Sequence, residues 1–179
     1  MMREAGRLCP SEDELAPFFA ALVPQGVSKR AGLTIHEGRL GAHPVAALYS
    51  GVCKVNAAIA AQTLIDACGV DALVVSGVAG GLDAAARPFD LVIARETACH
   101  DVAEDILTEY HPWMESIWFQ SDAALLARAE AAAGTTGARG DYQALFPAGG
   151  GHGDGGRRAY GAGVRRALYC AARHHRRRG

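Results

Sequence analysis

The sequence predicts an α/β fold in which the strands are buried in a layered core. Three observations carry this. Helix-like and strand-like segments alternate along most of the chain. The strand-like runs are apolar rather than alternating, as buried strands are. One of them, in "VDALVVSGVAGGLD" (residues 70–83), ends in a turn almost without side chains. Such turns let a ligand approach main-chain N–H groups, or are simply tight.

In order, Ser11 and Glu14 have the spacing of a capping box. Apolar residues at 15, 18, 19 and 22 continue it as a helix over 11–23. Residues 31–39 and 43–50 read as two strands joined by a turn at Leu40-Gly41-Ala42. Residues 54–68, KVNAAIAAQTLIDAC, form an amphipathic helix that stops at Gly69. A strand over 71–76 runs into the glycine turn, 89–96 is another strand, 106–119 is an aromatic-rich loop, and 122–133 is a helix ended by Gly134. No sequence repeat recurs.

Composition sets limits. The chain of 179 residues suits one domain with a sizeable core. No run of 18 apolar residues reads as a membrane span, and "MMREAGRLCPSEDEL" lacks the apolar stretch of a signal peptide. Five scattered cysteines without a C-x-x-C read as reduced thiols, so the expected location is the cytoplasm. The net charge of −1 hides a division. Residues 1–150 hold 10 Lys and Arg against 18 Asp and Glu, whereas residues 151–179 hold eight Arg and one Asp. From about residue 146 the chain turns rich in Gly and Arg, with no Leu, Ile or Val before Val164. Composition reads residues 146–179 as a disordered tail that adds no normal strand. Such a tail is a nucleic-acid-binding arm, a truncated end, or the product of a changed reading frame, and the abrupt compositional switch favours the last two.

Three motifs stand in order: "SGVCKVNAA" before a helix, "SGVAGGL" after a strand, and His100-Asp101 after the next strand. Together they make residues 9–134 resemble the nucleoside phosphorylase superfamily, and within it the nucleosidases of 5′-methylthioadenosine and S-adenosylhomocysteine. The resemblance implies a three-layer α/β/α fold with a mixed central sheet. Residues 1–145 would form that domain, without the family's last third. It implies hydrolysis of a purine nucleoside's N-glycosidic bond, with no cofactor and no metal, in a homodimer whose pockets are partly closed by the neighbouring chain. Glu14 matches the water-activating carboxylate, although capping alone also explains a glutamate there. Val52, Val78, Ala79 and Gly80 match positions that touch the nucleoside. Tyr110, Pro112 and Trp113 match the neighbouring subunit's apolar wall. Cys53 stands where the family favours a small residue, usually glycine.

Three features depart from the pattern. The family's ribose-binding Met-Glu and its acid in a Ser-Asp pair have no visible counterpart, since the last methionine is Met114 and the last glutamate Glu130. The family's opening apolar strand is poorly matched by "MMREAGRLCP". A phosphorylase using phosphate and a catalytically inactive family member are therefore the alternatives. Phosphate would need a cationic site that Arg3, Arg7, Arg30 and Arg39 do not clearly supply. His100 and Asp101 with Glu104 and Asp105 also have the chemistry of a metal site, a reading the resemblance disfavours.

Overall fold

The structure is a computed structural model. It describes residues 5–80, 87, 90–99, 103–110 and 114–134, and the backbone of 166–171. The chain divides into two compact units, Met1–Gly77 with Leu168–Gly179, and Val78–Ala167.

The first unit carries a mixed sheet with a helix on each face. Its elements are β1 (Ala5–Cys9), α1 (Glu12–Phe19), β2 (Val23–Arg30), β3 (Leu33–Leu40), β4 (His43–Tyr49), α2 (Lys54–Thr63) and β5 (Ala72–Val78). Helix α2 continues as a π-helical turn over Leu64–Cys68 and stops at Gly69, whose φ of 65° is left-handed. The strand order is β2-β3-β4-β1-β5. Strands β2, β3 and β4 form an antiparallel meander. Strand β1 then lies between β4 and β5, parallel to both. The alternation of side chains along the strands assigns the two faces. Leu8, Ile35, Ala46 and Leu48 pack with Ala60 and Leu64 from the α2 side. Cys9 and Ala47 pack with Leu15, Phe18 and Phe19 of α1. Helix, sheet and helix therefore form the three layers that the family resemblance implies.

Several local expectations change. The first helix ends at Phe19 rather than residue 23, and Pro17 lies inside it. Residues 23–30 form a strand instead. Strand β2 was not legible because Pro24 and Gly26 interrupt it, its register slips between them, and it is largely exposed. It is the edge strand, where proline is tolerated. Strand β3 starts at Leu33 because Ala31 and Gly32 make the preceding turn at φ 49° and 78°. The poorly apolar N-terminal segment is nonetheless a central strand, β1.

In the second unit, β6 (Leu91–Ala94) is followed by a two-residue strand, β7 (Glu96–Thr97). The sequence predicts one strand across 89–96. The chain breaks at Arg95, and β7 pairs antiparallel with β8 (Phe119–Gln120). The expected loop over 106–119 begins as a helix, α3 (Glu104–Tyr110). Helix α4 (Ala123–Gly134) is capped by Asp122, whose Oδ1 accepts from the N–H groups of Ala124 and Leu125. Arg95 pairs with Glu130 of α4 at 2.9 Å.

Strand β9 (Arg166–Ala171) falls inside the segment that composition assigns to a disordered tail. Ala167-Leu168-Tyr169-Cys170 is a short apolar run between arginines, long enough for a strand beside β5. Other residues of that tail lie outside the described residues.

Candidate active site

Strands β4, β1 and β5 are adjacent and parallel, so their C-terminal ends lie along one edge of the sheet. Ligands of open α/β sheets bind at such edges. Three segments leave it: Ser50–Cys53 after β4, Pro10–Glu14 after β1, and the end of β5 at Gly77-Val78.

Glu14 is fixed from two directions. Within α1, the Ser11 N–H donates to Glu14 Oε2 at 3.0 Å, and the Ser11 hydroxyl donates to the same oxygen at 3.1 Å. The Glu14 N–H donates to Ser11 Oγ at 3.3 Å, which completes the capping box. The carboxylate lies in the first turn of the helix, where the helix dipole favours negative charge. Across the sheet edge, Glu14 approaches β5. A Cβ added at Gly77 would sit 2.9 Å from Glu14 Oε1 and 3.0 Å from Pro10 Cδ. Gly77 is the glycine whose lack of a side chain brings the carboxylate onto the strand end.

A polar layer lies beneath this contact. Ser76 is buried, and its Oγ accepts from the Arg7 guanidinium at 2.6 Å and stands 3.5 Å from Cys9 Sγ. Arg7 stacks on Phe18 of α1, 4.6 Å from the ring centroid. The end of β4 is tied to β1 through the Ser50 N–H, which donates to the Cys9 carbonyl at 2.8 Å.

The predicted site residues divide accordingly. Glu14 meets the glycine turn at Gly77. Val52 lies on the loop after β4 and is exposed. Asn56 of α2 donates to the Val52 carbonyl at 2.8 Å. Val78 is the last residue of β5 and is also exposed. Ala79 and Gly80 follow it. Among the described residues nothing lies within 4 Å of a side chain added at Gly80. Cys53 adopts φ 95° and ψ 157°, a backbone region suited to glycine. Tyr110 ends α3 and is exposed. Pro112, Trp113, His100 and Asp101 lie outside the described residues.

Sequence reasoning missed Gly77, Arg7 and Ser76. Gly77 was visible only as part of a glycine-rich turn. Arg7 registered only as a flaw in an apolar strand. Its partner is 69 residues away, so nothing local announces the pairing.

The relatives are consistent. The 5′-methylthioadenosine/S-adenosylhomocysteine nucleosidase of Colwellia psychrerythraea is 38% identical over 99 residues, 55% of this chain and 41% of the relative. The solved nucleosidase of Neisseria meningitidis, in complex with methylthio-immucillin-A, superposes with a TM-score of 0.71 at 28% identity, covering 80% of this chain and 63% of that one. The futalosine hydrolase of Helicobacter pylori shares the fold, with a TM-score of 0.70 at 24% identity over 81% of this chain and 63% of that one. The chain thus spans less than two thirds of the length of these proteins. The model of the phosphorylase superfamily matches residues 4–144, across the sheet edge and the glycine turn, and the chain belongs to that superfamily.

Proposed function

We propose that the chain is a nucleosidase of the 5′-methylthioadenosine/S-adenosylhomocysteine type, hydrolysing the N-glycosidic bond of an adenine nucleoside. The observation that carries this is the apposition of the Glu14 carboxylate and Gly77 at the carboxyl edge of the sheet. In this reading Glu14 takes a proton from water as the water oxygen bonds to C1′ of the sugar. The bond from C1′ to the purine nitrogen breaks, the electron pair leaves with adenine, adenine takes a proton from solvent water, and Glu14 later returns its proton to solvent, so the net change is the addition of one water. Val52 and the turn Val78, Ala79 and Gly80 hold the nucleoside. The names of the nucleosidase relatives support the substrate class. The reaction takes no cofactor and no metal.

The assembly that goes with this reading is a homodimer in which Tyr110, Pro112 and Trp113 wall the neighbouring pocket. Among the described residues Cys9, Cys53 and Cys99 are free thiols, which suits a cytoplasmic setting. Among the described residues no helix is long and apolar enough to cross a membrane.

A second reading has its own observation. No Met-Glu follows Met114-Glu115 and no Ser-Asp follows Ser121-Asp122, so the family's late motifs have no match there and a chain that binds nucleosides without turning them over is the alternative. A binding role for nucleic acid would rest on the Arg-rich segment alone, and predicts salt-sensitive binding lost with residues 151–179.

The test is adenine release from 5′-methylthioadenosine with and without inorganic phosphate. The nucleosidase reading expects release without phosphate and a free thiosugar. Release that depends on phosphate and yields a sugar 1-phosphate would make the chain a phosphorylase. Calorimetric binding of the nucleoside without release would establish the non-catalytic reading.

A further inference from the structure

We propose that Arg7 is a positioning residue: it clamps α1 to the end of β5 and so holds Glu14 against Gly77. Arg7 occupies the middle of β1, on the α1 face of the sheet, where an apolar side chain would pack without cost. Two contacts link it to the two elements that meet at the site. Its guanidinium donates to Ser76 Oγ at 2.6 Å, one residue before Gly77. Its Cζ lies over the Phe18 ring, 4.6 Å from the centroid, a cation–π arrangement. Phe18 and Glu14 are four residues apart on α1, so they share a helix face. One side chain therefore sets where α1 lies relative to β5.

Arg7 Nε is buried and has no hydrogen-bond partner among the described residues. An orphaned buried donor is unfavourable. Packing alone gives no reason to keep a guanidinium here, whereas a planar group that both stacks and donates is what the clamp requires. Ser76 completes it, because its hydroxyl also lies 3.5 Å from Cys9 Sγ on β1. The network spans β1, β5 and α1 within one unit.

The kinetic part of this inference rests on the nucleosidase reading; the mechanical part does not. The experiment compares the full chain with R7K, R7M, S76A and R7M/S76A, by adenine release from 5′-methylthioadenosine and by amide hydrogen exchange. The expected result is a fall in kcat of about 10–100-fold in R7M with KM nearly unchanged, because misplacing a reacting group costs rate more than binding. R7K recovers part of the loss, since lysine donates but does not stack as guanidinium does. The double variant is no worse than R7M, as expected of residues acting as a unit. Exchange at Leu15–Phe19 and at Val75–Val78 rises together in R7M, by about 10-fold, while α2 is unchanged.

Unchanged exchange in either segment overturns the clamp. Raised exchange with wild-type kcat overturns the positioning role, as do additive losses in the double variant. If the parent chain releases no adenine, the nucleosidase reading fails separately, and exchange alone decides on Arg7.

Discussion

The two faces of the first unit's sheet are built on different terms. The core of the α2 face is apolar: Leu8, Ile35, Ala46, Leu48, Ala60 and Leu64 are buried against one another, with the half-buried Glu37 near Cys68 as a polar group on that face. The α1 face begins as a core, with Leu15, Cys9 and Ala47, and then admits Arg7, Ser76 and the Glu14 carboxylate. Both helices rest on the same strands. The difference is that α2 packs by burying area, whereas α1 is also tied down by directional contacts. The stability of this unit therefore depends chiefly on the α2 face, and the proposed chemistry depends on α1.

That contrast predicts where substitutions act. Leu48→Ala empties a fully buried position of the α2 face and should cost about 2–5 kcal/mol in urea unfolding. A loss well under 1 kcal/mol would mean that this face is not the tighter core. Gly77→Ala places a methyl 2.9 Å from Glu14 Oε1 and must displace the carboxylate or the strand. Turnover should fall roughly 100-fold, with a smaller effect on unfolding, because a displacement of about 1 Å is enough to misplace a catalytic group. Equal damage to both would erase the division of labour.

Smaller effects refine it. Ser11→Ala removes the N-cap of α1 and two contacts to Glu14, and should destabilise by about 1 kcal/mol while lowering turnover. Turnover unchanged beside that loss would show that Glu14 is held without its cap. Cys53→Gly relieves a φ of 95° at the start of α2 and should raise the unfolding midpoint, with a stabilisation on the order of 1 kcal/mol. A lowered midpoint would show that the conformation costs little.

What was legible in the sequence follows the same line. The capping box at Ser11 and Glu14, the helix that stops at Gly69 and the turn between β3 and β4 are encoded by neighbours in the chain, and each forms as read. The reading failed where the deciding partner is remote. Arg7 looks wrong for a strand until Ser76 and Phe18 are placed beside it. Strand β2 looks like a loop until β3 supplies its ladder. Within the site, Glu14 was identifiable from its motif. The role of Gly77 was not, because close approach between a helix and a strand end is a tertiary fact.

The most direct test of the central claim is adenine release by Glu14→Gln. Glutamine still serves at the third helical position of a capping box, so the fold is kept while the base is removed. The account predicts that the parent chain releases adenine from 5′-methylthioadenosine and that the variant does so about 100–10,000-fold more slowly, with an unchanged unfolding midpoint. A variant as fast as the parent, or a parent that binds the nucleoside and releases nothing, would contradict it.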